Sequence, residues 1–179
     1  FSMPRYLKEK SPEVSVDVVE IDPDVVNAAK EFLELKEECN VFIGDGRQVL
    51  RQQSVSYDLI VNDAFRGVRK IPFHLVTQEF HQIVRQKLTP KGLYAINSLG
   101  HPVNSLLVRS VLRTVQQEFE HVSLLYDGRE AEQNLWILAS QEPISAGHSP
   151  PISEINGRLL TDDNAPVEFL VATDLVQTP

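Results

Sequence analysis

Val16-Asp17-Val18-Val19-Glu20-Ile21-Asp22-Pro23 decides the fold. Its first half is apolar enough for a strand buried in a parallel sheet, and it places Glu20 where that strand ends. Pro23 then opens a helix at a first-turn position, where a missing N–H costs nothing, with Asp22 as its cap and Asp24 favourable to its dipole. The same succession of strand and acid returns at Val41-Phe42-Ile43-Gly44-Asp45-Gly46 and at Tyr57-Asp58-Leu59-Ile60-Val61-Asn62-Asp63. In an open parallel sheet, ligands bind outside the carboxyl ends of the strands, and an acid after the second strand can accept both hydroxyls of an adenosine ribose. Three such acids predict a nucleotide-type site, with Glu20 the first residue to test.

Working outward, Val25, Val26, Ala29, Phe32 and Leu33 give the helix after Pro23 its apolar face. Upstream, Met3, Tyr6 and Leu7 share one face of a short helix, Ser2 to Lys10, that stops before Pro12. Downstream, a short helix carries Val49 and Leu50, and a longer one is expected from about His74 to Leu88 with Leu75, Phe80, Ile83, Val84 and Leu88 inward. Pro90-Lys91-Gly92 predicts a turn into a strand, Leu93 to Asn97, and a helix follows from about Val103 to Phe119. Val122 to Tyr126 and Leu135 to Ala139 predict an antiparallel hairpin. The fold class is therefore α/β, a Rossmann-like doubly wound, mostly parallel sheet with a C-terminal antiparallel hairpin. Its expected domains are a nucleoside-binding catalytic domain over 1–140, a Pro-, Ser- and Gly-bearing linker over 141–157, and a tail over 158–179.

Composition narrows the partners. The chain has 179 residues, 42% of them hydrophobic, and a net charge of −8, with no cluster of Lys and Arg to neutralise phosphates, so a nucleic-acid partner is not expected. Cys39 is the sole cysteine, which rules out an intrachain disulfide and predicts a cytoplasmic setting. No apolar run approaches the roughly 20 residues that span a bilayer, so no membrane contact is expected of this chain. His74 and His81 lack a third ligand nearby, and no metal is expected. Ser98 and His101 lack a nucleophile-elbow context. The chain goes from Phe1 straight into a helix with no strand before it, which predicts that an earlier part of the protein precedes it.

Five stretches taken together, Val18-Val19-Glu20-Ile21-Asp22-Pro23, Gly44-Asp45-Gly46, Tyr57 to Asp63, Leu75-Val76-Thr77-Gln78-Glu79-Phe80 and Leu88-Thr89-Pro90-Lys91-Gly92, resemble the spermine/spermidine synthase family in order and spacing. Asp63-Ala64-Phe65, Ile71-Pro72-Phe73-His74-Leu75 and Leu160-Thr161-Asp162-Asp163-Asn164-Ala165-Pro166 are similar to its spermidine-synthase-like branch. The resemblance implies a class I S-adenosylmethionine-dependent methyltransferase fold with a seven-stranded sheet, whose first strand and glycine-rich loop would lie before Phe1. It implies a donor, S-adenosylmethionine or its decarboxylated form, with Glu20 on the ribose hydroxyls, Asp45 near the adenine amino group, and Ile21 and Gly46 also in the binding site. It implies Asp63 as the carboxylate at the reacting centre. The expected partner is a small amine acceptor, and a homodimer is compatible with the sequence.

The chain departs from the family at one telling place. Members that use diamines carry a second acid three positions after the central aspartate, where this chain has Arg66. Arg66, Arg69 and Lys70 make that loop basic, which disfavours a diamine unless other acids compensate, and Asp162 and Asp163 are the candidates. Both also read as an exposed turn and helix cap before Pro166. The expected activity is transfer of an alkyl group, aminopropyl first, to an amine. A methyltransferase on the same scaffold and a non-catalytic nucleoside-binding domain are the alternatives.

Overall fold

Residues 2–32, 39–64, 71–145 and 156–177 are described by the computed structural model. They fold as two units, Phe1–Gln53 and Ser54–Pro179.

The first unit holds α1 (Ser2–Lys10), β1 (Asp17–Glu20), α2 (Pro23–Phe32), β2 (Asn40–Ile43) and α3 (Gly46–Gln52). β1 and β2 pair in parallel, from Asp17 opposite Asn40 to Glu20 opposite Ile43. The connection between them is α2, as a parallel crossover requires. Asp22 caps α2 as expected, its Oδ1 accepting from the Asp24 N–H at 2.9 Å. Only part of the expected apolar face is buried: Val26 and Ala29 are, whereas Val25 and Phe32 are exposed. A three-residue step falls about 60° short of a full helical turn, so two such steps carry Phe32 away from the face that holds Val26. Leu33 lies outside the described residues.

The second unit holds β3 (Tyr57–Asn62), a 3-10 turn at Phe73–Leu75, α4 (Gln78–Lys87), β4 (Leu88–Gly100), α5 (Leu106–Val115), β5 (His121–Leu125), β6 (Gln133–Ser140) and α6 (Val167–Gln177). Its sheet runs in the order β3-β4-β6-β5. β3 and β4 are parallel, while β6 runs antiparallel to both β4 and β5, giving the expected closing hairpin. One face of this sheet carries Tyr94, Ile96, Leu124, Leu135, Ile137 and Ala139, all buried. Along β6 from Leu135 to Ala139 they alternate with half-exposed neighbours, the period-2 signature of a sheet whose faces differ, whereas in β4 Ala95, between Tyr94 and Ile96, is buried as well.

Three expected boundaries move. The helix expected from His74 begins at Gln78, because Pro72 to Leu75 closes a 3-10 turn and Thr77 caps the helix by accepting from the Phe80 N–H. The strand expected over Leu93 to Asn97 runs from Leu88 to Gly100. β6 pairs with it from Tyr94 to Gly100, and Pro90-Lys91-Gly92, instead of forming a turn ahead of the strand, lies in an irregularity between Leu88 opposite Tyr57 and Leu93 opposite Leu59. Bulges are where a strand tolerates proline. The helix expected from Val103 begins at Leu106, since the His101 Nδ1 accepts from the N–H groups of Val103 and Asn104 and holds a turn there.

Residues 156–177 lie along α5. The Ser110 hydroxyl accepts from the Arg158 N–H at 3.0 Å, the Thr114 hydroxyl from the Leu160 N–H at 3.0 Å, and Arg113 donates to the Gly157 carbonyl at 2.7 Å. A Cβ at Gly157 would stand 2.3 Å from the Arg109 carbonyl oxygen, so only glycine lets the two backbones approach this closely. Leu160, Val167 and Leu170 are the buried apolar side chains of this segment.

Candidate active site

In the first unit the acid-bearing strand ends lie side by side. The Gly44 N–H donates to the Glu20 carbonyl at 2.9 Å, so the chain leaving β2 passes the end of β1 before it reaches Asp45. Gly44 has a φ of 156°, and a Cβ there would stand 3.1 Å from Val49 Cγ2, which explains why the turn into α3 begins on glycine. A Cβ on Gly46 would meet no atom within 4 Å, so the opening of α3 has open space beside it.

Glu20 is half-buried, and its Oε1 accepts from the Asp22 N–H at 3.0 Å. Ile21, beside it, is 59% exposed, an apolar side chain left to water. Asp45 is the N-cap of α3, its Oδ1 accepting from the Gln48 N–H at 3.1 Å. A carboxylate offers about four acceptor positions, so a cap bond does not exhaust it. Two carboxylates and an exposed apolar side chain at neighbouring strand ends offer hydrogen-bond acceptors and an apolar contact to a ligand.

In the second unit Asp63 follows β3 directly and is exposed. Its Oδ1 accepts from the Asn97 amide at 2.7 Å. Next to it, Asn62 donates to the Leu75 carbonyl at 3.0 Å and to the Tyr94 hydroxyl at 3.3 Å, tying the strand end to the turn that leads into α4. Tyr94 is fully buried, and burial pushes its hydroxyl pKa up, opposed by the Asn62 bond.

The remaining candidates resolve by their contacts. Asp162 Oδ1 accepts from the Thr77 hydroxyl at 2.8 Å, and the Asp162 N–H donates to Glu79 Oε2 at 2.9 Å, so this acid stands at the N-terminus of α4. Asp163 is exposed in the turn between Thr161 and Asn164. Arg66, with Arg69 and Lys70, lies outside the described residues. His81 is fully buried against Phe80 and Tyr94, with ring centroids 6.0 and 5.6 Å away. Burial lowers its pKa to about 3, only partly opposed by the Val76 carbonyl, and neither ring nitrogen has a well-formed hydrogen bond. Among the described residues, no three His, Cys, Asp or Glu side chains are grouped so as to hold a metal ion, and no helix is long and apolar enough to cross a membrane.

Sequence reasoning missed Asn97. Its signal is a polar residue closing the apolar run Leu93 to Ile96, and the partner that gives it meaning is 34 positions away.

Residues 5–143 match the model of a family described as the spermine/spermidine synthase domain. The chain is 36% identical over 104 residues to a polyamine aminopropyltransferase of Vibrio vulnificus (strain CMCP6), a match that covers 55% of this chain and 34% of that protein. It thus spans about a third of that relative's length. A solved structure of a probable spermidine synthase from Corynebacterium glutamicum superposes with a TM-score of 0.74 at 24% identity, covering 89% of this chain and 61% of that one. Human methyltransferase-like protein 13, solved in complex with SAH, superposes with a TM-score of 0.64 at 22% identity, covering 99% of this chain and 76% of that one. The fold is that of the class I methyltransferases and spermidine synthases.

Proposed function

This chain belongs to the spermine/spermidine synthase family, and on that premise we propose that it forms part of an aminopropyltransferase-type enzyme, moving an alkyl group from a decarboxylated S-adenosylmethionine-type donor to an amine in a cytoplasmic setting. Glu20 with Ile21 holds the ribose end of the donor, and Asp45 with Gly46 the adenine end. The observation that carries the reading is Asp63: an exposed carboxylate at the end of a parallel strand, gripped through one oxygen by Asn97.

The chemistry gives that carboxylate a task. An amine with pKa near 10 is mostly protonated at neutral pH, yet only its lone pair can attack a carbon bound to sulfonium sulfur. Asp63 orients the ammonium and takes its proton; the new N–C bond forms as the C–S bond breaks, and the bonding pair leaves on sulfur as a neutral thioether. Positioning the amine in line with the leaving sulfur supplies much of the remaining acceleration. The expected outcome is that Asp63→Asn, which keeps the shape and removes the base, lowers turnover by about 10² or more while methylthioadenosine affinity changes little. A variant retaining most of its turnover would move the catalytic centre elsewhere.

Arg66 favours a second reading, a methyltransferase on the same scaffold. A cation where diamine users have an acid repels a second cation by about 4 kcal/mol at 4 Å and an effective dielectric near 20. Calorimetry of the full-length protein with S-adenosylmethionine, its decarboxylated form and methylthioadenosine separates the two. Preference for the decarboxylated donor supports aminopropyl transfer, and preference for S-adenosylmethionine supports methyl transfer.

A further inference from the structure

The pairing of β3 with β4 ends at Asn62 opposite Ile96, so the next step along both chains brings Asp63 and Asn97 together. Asn97 is held on its other side by the ladder to β6, where it pairs with Trp136. It therefore sits on a strand interior to the sheet, one position past the end of the β3 pairing and still in the ladder to β6, a rigid place from which to hold another group. The orientation of its amide follows from its neighbour. With nitrogen toward Asp63 the contact is a charge-assisted hydrogen bond of 2.7 Å, whereas the flipped amide would set two oxygens against each other.

That orientation leaves the Asn97 Oδ1 buried and without a hydrogen-bond partner. A residue whose role was only to fill the sheet would not leave a buried carbonyl oxygen unsatisfied, since an apolar side chain of similar size avoids that cost. What the amide contributes is its N–H: it commits one oxygen of an otherwise exposed carboxylate and stops the side chain from sampling other rotamers.

We propose that Asn97 is the positioning residue of the reacting centre, its amide fixing one oxygen of Asp63 so that the other is presented to the acceptor amine. The inference rests on the catalytic reading of Asp63 given above. Asn97 touches no reacting atom in this scheme, and its effect passes entirely through Asp63.

The test is a double-mutant cycle on the full-length protein, with Asp63→Asn, Asn97→Ala and both together. Each variant is checked for binding of methylthioadenosine by calorimetry, which reports a folded donor site independently of turnover. Asn97→Ala is expected to lower kcat by about 10- to 100-fold with KM for the amine changed less than about threefold, and to cost less than about twofold further in the Asp63→Asn background. Asn97→Gln, which keeps an amide N–H, is expected to recover part of kcat; it also carries the test if the alanine variant does not fold. Losses that multiply in the double variant, or an unchanged kcat in Asn97→Ala while Asp63→Asn is inactive, overturn the positioning role and leave the reading of Asp63 standing. Full activity in Asp63→Asn alone overturns both.

Discussion

Glu20 commits one carboxylate oxygen to its own loop, at Asp22, and the proposed ribose contacts draw on its remaining acceptor capacity. Charge-assisted hydrogen bonds contribute roughly 1.5 to 3 kcal/mol each, so Glu20→Ala is expected to weaken methylthioadenosine binding at least tenfold without unfolding the domain. Calorimetry on the folded variant checks this, and unchanged affinity would remove the ribose assignment. The second residue-scale expectation concerns His81, a neutral imidazole in the core whose pKa falls to about 3 on burial. Because the unfolded chain takes up a proton near pH 6.5 and the folded chain does not, the group's contribution is fully present above pH 6.5. It is lost as pH falls from there toward about 3. The loss amounts to about 1.4 kcal/mol per pH unit in that window. Urea unfolding at pH 7.5 and 5.5 should show a drop in the parent that is smaller in His81→Leu; equal drops would assign the acid sensitivity to other groups. Glu20 and Asp45 could be singled out in the sequence because strand, acid and helix start follow closely there, and Asp63 because it closes the apolar run of β3. Asn97 could not, because its meaning depends on a strand pairing that no local pattern reveals.

At the scale of elements, the helix starts carry the clearest energetics. α5 begins under two caps: Ser105 Oγ accepts from the Val108 N–H, and Asp174 on α6 accepts from the Leu106 N–H at 2.6 Å and the Ser105 hydroxyl at 2.6 Å. A carboxylate at that end also meets the positive pole of the helix. Asp174→Ala is expected to cost about 1 to 3 kcal/mol, read as a lowered thermal midpoint, with Asp174→Asn intermediate. An unaltered midpoint would show that the cap is dispensable. The sequence marks most elements correctly in type and order, and the exceptions have local causes. Leu75 and Phe80 are spaced too far apart to share one helical face, so the helix begins later, at Gln78 after its cap Thr77. Pro90 lies within β4 because a bulge removes the need for its N–H. α6 was expected only as tail: its interest lies in what it does for α5, and nothing within residues 158–179 states that.

For the molecule as a whole, the row of hydroxyls along α5 is the feature with the widest reach. Seven of its ten residues are buried, Ser110 and Thr114 among them, because the helix faces the sheet on one side and the chain of residues 157–177 on another. A helix buried this widely keeps only a narrow polar face, with Arg109 and Arg113 on it, and its buried side accommodates hydroxyls that bond inward first. Ser110 donates to the Leu106 carbonyl at 2.6 Å and Thr114 to the Ser110 carbonyl at 2.7 Å, each using its one proton within the helix. Only the lone pairs then remain for the N–H groups of Arg158 and Leu160. This predicts an order of events in folding: the acceptors that receive the C-terminal segment exist in the right direction only once α5 has formed its turns, so docking of that segment follows formation of α5 and is expected after the rate-limiting step. Thr114→Val, nearly isosteric, therefore belongs on the unfolding limb of a chevron. It should speed unfolding by about five- to tenfold for a loss near 1 kcal/mol and leave the refolding rate almost unchanged. A slowed refolding limb would place the clasp in the transition state instead. The lifetime of the folded chain, rather than its speed of formation, is what this seam of hydroxyls is expected to govern.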